Sequence, residues 1–168
     1  MNKHEVFLII QKIIHSYDDK IICIKSDQNA PAPEGLYASV RVDHNSESLA
    51  ASTVKTVIDD EGLTHTYSKE LMLTVSINFY RTGALDACEY MLSMNDLQSV
   101  SELLTANGLG WGGTSNVRNL TALQYSEMEE RAQIEVRLYA NPTVTDKTGY
   151  IDIDKFTFTA TNGDNNVL

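Results

Sequence analysis

Four histidines, two cysteines and a run of closely spaced carboxylates are the chemistry-bearing residues of this 168-residue chain. His4, His15, His44 and His65 fall at a helix start, a helix end and two loop-like stretches. No HxH, HExxH or Cys/His spacing links them, so the convergent donors that a metal ion needs are not expected. The stretch "GLGWGG" (108–113) invites a nucleotide reading, because glycine loops can cradle phosphate. It follows a helical pattern rather than a strand, and neither an opening helix nor a Lys-Ser/Thr pair comes after it. A flexible or tightly turning loop is the simpler expectation. Glu127, Glu129 and Glu130 lack a nucleophile or oxyanion donor near them in sequence. Solvated turn charges, or ion-pair partners for Arg118 or Arg131, account for them. "DIDK" (152–155) and "DNN" (164–166) lack the run of oxygen ligands and closing Glu of a calcium loop. "NLT" (119–121) matches a glycosylation sequon, which means nothing without a secretory route. No Ser/His/Asp arrangement stands out, and neither enzymatic activity nor a cofactor is expected.

Composition narrows the class further. Hydrophobic residues make up 42% of the chain, enough for a real core, at a mean hydropathy of −0.23. The length suits one domain, expected over residues 1–160, with "TNGDNNVL" (161–168) as a disordered tail. No apolar run approaches the roughly 20 residues of a membrane span. The N-terminal "MNKHEVFLIIQKIIHSYDDK" is interrupted by Glu5, Gln11, Lys12 and His15 at helical spacing, which makes it an amphipathic helix rather than a signal peptide. Cys23 and Cys88 sit in apolar contexts without a CxxC partner, and both are expected reduced and buried. The net charge of −10 and pI near 4.7 argue against binding nucleic acid by neutralising phosphates. Ordinary solubility accounts for that charge, and so does a surface that must not adhere to DNA passing nearby. Charge alone does not separate the two.

Periodicity supplies the elements that would position any site. Val6, Ile9, Ile10, Ile13, Ile14 and Tyr17 form the stripe of a helix over about 3–16. "IICIK" (21–25) reads as a short buried strand, and "NAPAPEG" (29–35) as a stiff extended connector. In "LYASVRVDH" (36–44), Ala38, Val40 and Val42 point inward while Tyr37, Ser39 and Arg41 point outward. Residues 46–70 form either a hairpin turning at Asp60-Glu61-Gly62, the favoured reading, or a mobile loop. "ELMLTVSINFYRT" (70–82) is the clearest strand. A helix then carries Ala84, Ala87, Cys88, Met91 and Leu92 on one stripe, and a second, over 97–107, is capped by Asn95 or Asp96 and ended by Gly108. After the glycine loop and the extended "VRNLTAL" comes an acidic turn. It leads into a strand in which Ala132, Ile134, Val136, Leu138 and Ala140 oppose Arg131, Gln133, Glu135, Arg137 and Tyr139. A last strand over 149–160 changes phase near Asp154-Lys155, which predicts a bulge. The fold class is α+β: a twisted, mainly antiparallel sheet with helices packed on one face and extended β arms. Trp111, alone among glycines, either plugs the core or reaches a neighbouring chain as an anchor.

Three phrases also carry a resemblance. A Pro-containing extended segment runs into "LYASVRV". "ELMLTVSINFYRTGALDACEYMLSMND" is a strand entering a helix through a Tyr-Arg-Thr-Gly-Ala turn. "VRNLTALQYSEMEERAQIEVRLYA" is an Arg-Asn-Leu stretch followed by an acidic turn and an alternating strand. Over roughly residues 20–140 the chain resembles the neck or tail terminator proteins of tailed bacteriophages. The resemblance implies a non-enzymatic virion protein that forms a ring, commonly a hexamer, on the head-proximal end of the tail tube. Such a ring halts tube growth. Its implied partners are copies of itself, the tail tube protein, a neck or stopper protein and, in contractile phages, the sheath. DNA passes through the lumen without specific binding, and no membrane is involved. A ring needs one face of a subunit against a different face of the next. The candidate contact residues are Arg41, Trp111, Arg118, Glu129, Arg131, Arg137 and Tyr139. The arms 46–70 and 141–168 are candidates for neighbour contacts. Alternatives are another head–tail connector, such as a stopper or head-completion protein, or a small enzyme or ligand-binding domain.

Overall fold

The computed structural model describes residues 2–29, 31–43, 47–59, 62–124 and 127–148. The predicted bulge near Asp154-Lys155 and the 161–168 tail lie outside them. Helix α1 (Lys3–His15) is closed at its start by a capping box: the Glu5 N–H donates to Asn2 Oδ1 at 2.9 Å, and the Asn2 N–H donates to Glu5 Oε2 at 2.8 Å. Val6, Phe7, Ile9, Ile10, Ile13 and Ile14 are buried along one side. Tyr17 leaves that stripe because the helix ends before it, and its ring tilts against Tyr90 at 4.6 Å.

The strands in chain order are β1 (Ile22–Lys25), β2 (Tyr37–Val42), β3 (Glu47–Ser48), β4 (Thr53–Asp59), β5 (Gly62–Ser68), β6 (Leu71–Tyr80), β7 (Leu109–Thr114), β8 (Arg118–Asn119), β9 (Ala122–Gln124), β10 (Glu127–Glu129), β11 (Arg131–Ala140) and β12 (Thr143–Thr148). Helix α2 (Ala84–Tyr90) tightens into a 3-10 turn, Met91–Asp96, before α3 (Gln98–Ala106). The main sheet runs β1-β2-β6-β11-β7, with β3 added to β6 and β8 to β11. Among the described residues only β1 and β2 pair in parallel; the other pairings of this sheet are antiparallel. Strands β6 and β11 pair over ten residues and form its spine.

Alternation makes this α+β as predicted. Ala38, Val40, Val75, Ile77, Phe79, Ala132, Ile134, Val136 and Leu138 all point to the helical side, where they meet the apolar faces of α1, α2 and α3 in one core. The other face is polar. Two smaller sheets stand outside this body: the three-stranded β12-β5-β4 and the hairpin β9/β10. The favoured hairpin reading of 46–70 holds, with β4 and β5 in register from Thr53↔Ser68 to Asp59↔Gly62.

Several local expectations are corrected. The strand at 21–25 is an edge rather than buried, with Ile22 49% exposed. Tyr37 and Ser39, expected outward, are buried at 7% and 8%, because Tyr37 stacks on Tyr80 at 4.7 Å and Ser39 shares a 2.7 Å hydrogen bond with Ser26. Leu92 is exposed: the three-residue period of the 3-10 turn puts Met91 and Met94 inward and rotates Leu92 out. Asn95 and Asp96 belong to that turn, so Leu97 stands at the N-cap of α3 without a side-chain cap. Gly108 does follow α3 in a left-handed conformation, at φ 67°.

The glycine-rich stretch is the largest correction. It is not a loop but the edge strand β7, antiparallel to β11, with Leu138 opposite Trp111 and Arg137 opposite Gly113. Gly112 is the extra residue of a bulge. A Cβ there would lie 3.1 Å from the Arg137 carbonyl oxygen, so only glycine lets the two backbones approach this closely.

Candidate assembly surface

The polar face of the main sheet is laid out by register. One rung sets Tyr37, Tyr80 and Arg131 side by side, the next Ser39, Asn78 and Gln133, and the next Arg41, Ser76 and Glu135. At the Arg131 end these groups engage one another, although Arg131 Nε is buried without a hydrogen-bond partner among the described residues. Arg131 lies over the Tyr80 ring, with Cζ 4.9 Å from its centroid, and Nη2 donates to Asn78 Oδ1 at 3.2 Å. Gln133 Nε2 donates to Ser76 Oγ at 3.0 Å. Burial first, and then Tyr80 and Glu129, push the Tyr37 hydroxyl pKa upward against the opposing pull of Arg81 and Arg131.

The other end is open. Arg41, Asp43, Glu47, Met72, Thr74, Glu135 and Arg137 line a groove of 610 Å³. Arg41 Nε sits 3.7 Å from Asp27 and 3.6 Å from Asp43, both exposed pairs of little energetic weight. Arg118 Nη1 lies 3.9 Å from Glu135. Tyr139, 46% exposed, extends the face beyond Arg137.

Of the seven predicted contact residues, Arg41, Arg131, Arg137 and Tyr139 therefore share this face, and Arg118 flanks it. Trp111 does not. Its partner in the register is the core residue Leu138, and it packs half-buried against the core. Glu129 lies on β10, half-buried and electrostatically coupled to Tyr37.

Neither account of Glu130 as a solvated turn charge or a partner of Arg118 or Arg131 holds. Its carboxylate accepts the Leu85 N–H at 2.7 Å and the Gly83 N–H at 3.1 Å, and so caps α2 from a distant part of the chain. Sequence reasoning also missed the apolar pair Leu123 and Met128, cross-strand neighbours on the β9/β10 hairpin and each 68% exposed. Their alternation is too short to stand out.

Cys23 and Cys88 are free thiols, the first half-buried and the second buried. Among the described residues no group of His, Cys, Asp or Glu is arranged to hold a metal ion, and no helix is long and apolar enough to cross a membrane.

The molecule is thus a sheet domain with one face under helices, the other polar and partly open, and a second sheet outside its core. The chain belongs to the phage neck terminator protein family, whose model matches residues 6–166. It is thus a structural protein of the virion neck, where head and tail join. No curated protein matches the sequence.

Proposed function

We propose that the chain closes into a ring, hexameric in number, on the head-proximal end of the tail tube, where it stops tube polymerisation and offers a docking surface to the neck. The observation that carries this reading is the β12-β5-β4 sheet. Among the described residues it pairs with no strand of the main sheet, and one of its faces aligns Val54, Tyr67 and Val144 on a single rung, exposed at 53%, 39% and 67%. Ile58, 67% exposed, extends the same face. The next rung on this face is polar, with Thr56, His65 and Asp146, but the apolar side chains left exposed on either side of it fit a partner chain. A neighbouring subunit supplies one in a ring, where each contact joins different surfaces of two identical copies. The partners are the chain itself, the tail tube protein, a neck or stopper protein and, if the tail contracts, the sheath.

The acidic balance of the chain fits a lumen that repels the phosphates of passing DNA, with no specific binding. The test is to mix purified protein with isolated tail tubes and image them. An annulus of this protein at one end of each tube, with tube growth halted there, is the expected result. Tubes that stay uncapped and keep growing overturn the proposal.

A further inference from the structure

Resting on the ring reading, a second observation concerns the two edges of the main sheet. At one edge, where α1 starts beside β1 and β2, a pocket of 220 Å³ is lined by Lys3, His4, Phe7, Lys25, Asp27 and Arg41, among others. Lys25 Nζ stands 5.6 Å above the Phe7 ring, and Lys3 Nζ donates to the Val42 carbonyl at 3.3 Å, so both ammonium groups are held at the pocket wall. The pocket lining sets Lys3, Lys25 and Arg41 against Asp27 and is locally cationic, although acidic and basic side chains balance over the edge as a whole.

The opposite edge, β7 with α3 packed on it, has the reverse character. From residue 82 to residue 117 there is no Lys, Arg or His; Asp96 and Glu102 are exposed on the 3-10 turn and α3 that pack on β7, while Asp86 and Glu89 are exposed on α2 over β6 and β11. The outer edges of β1 and β7 carry no partner strand among the described residues. Ile22, 49% exposed, adds apolar surface to the first edge.

Strands β1 and β7 stand at opposite ends of the sheet, so charges beside their outer edges do not pair with each other within one copy. They meet when one copy follows another, head to tail, which is the arrangement that closes into rings. We propose that the β1/α1 edge of one subunit docks on the β7/α3 edge of the next, with Lys3 and Lys25 facing Asp96 and Glu102 of the adjoining copy. Electrostatic complementarity of this kind fixes which surfaces pair and in what order. Nucleic acid is the competing occupant of a cationic pocket, but Asp27 in its wall and Asp43 beside Arg41 oppose phosphate.

The test uses the full-length chain with charges exchanged. K3E/K25E and D96K/E102K each reverse one edge, and the quadruple variant reverses both, so that every subunit contact again pairs opposite signs. Ring yield on tail tubes and mass by light scattering are the readouts. Thermal melting confirms that each variant folds, and K3Q/K25Q serves as a milder probe. Each double variant is expected to need at least tenfold more protein to cap tubes, and the quadruple variant to recover. Self-association of the wild type should weaken as salt approaches about 1 M, where charges are screened within about 3 Å.

A quadruple variant as defective as its parents, or a K3E/K25E protein that caps tubes normally, overturns the edge contact and leaves the ring standing. So does a K3E/K25E protein that caps normally but loses affinity for DNA. A wild-type chain that never caps tubes removes the ring and the contact together.

Discussion

Glu130 shows how much a single side chain can do for a helix it does not belong to. Helix α2 begins after Gly83, a residue with no side chain to cap it, and the Glu130 carboxylate takes up two of its free N–H groups instead. E130A should cost about 1–2 kcal/mol of stability, and E130Q, which keeps an acceptor, less; urea unfolding measures both. No local pattern announces this role, because donor and acceptor lie 45 residues apart for the shorter bond. Apolar neighbours announced the burial of Cys88, whereas Cys23, expected buried as well, is only half-buried on the edge strand. Burial pushes the Cys23 thiol to about 11 and the Cys88 thiol to about 12, from 9.0. The folded chain then keeps protons that the unfolded chain has lost, so these thiols leave stability intact below pH 9 and reduce it as pH climbs from 9 towards 11 and 12. Urea midpoints at pH 8 and pH 10, roughly on either side of the unfolded thiol pKa, should differ in the wild type and differ less in C23A/C88A.

At the level of elements, what could be read from sequence was what repeats. Helix α1 and strands β6 and β11 each run for ten or more residues with a steady period, and their predicted bounds match closely. Strand β7 was hidden because its glycines carry no side chains with which to alternate, and because Gly112 breaks the register. Its strand character comes from β11, against which it lies. G112A should force the strands apart at Arg137 and cost about 1–3 kcal/mol, with hydrogen exchange in β7 accelerating first. The candidate surface was half readable: alternation placed Arg131, Arg137 and Tyr139 on one face, whereas the burial of Tyr37 and Ser39 depends on partners that only the fold supplies. The projecting sheet makes a separate forecast. Replacing residues 53–68 by a short Gly-Ser connector leaves the core strands intact, so melting should change little while tube capping is lost. Normal capping by that variant would argue that the arm has no part in assembly.

The whole molecule has one core under the helices and several surfaces left over: the polar groove, the arm and the two sheet edges. Arg137 tests the groove most directly, because its side chain is exposed at the open end and makes no hydrogen bond or ion pair among the described residues. R137E should leave stability within about 0.5 kcal/mol and lower capping or neck docking. Unimpaired capping and docking would mean that the groove faces only solvent.

The spine carries a last consequence, for synthesis. Strand β6 is made early, yet the strand that completes its long pairing, β11, leaves the ribosome some fifty residues later, and the stripe of α1 waits for the same event. Until then the isoleucines of the N-terminal helix have no finished floor to rest on. A nascent chain halted before residue 131 therefore stays open and prone to aggregate, and folding becomes cooperative only once β11 has emerged.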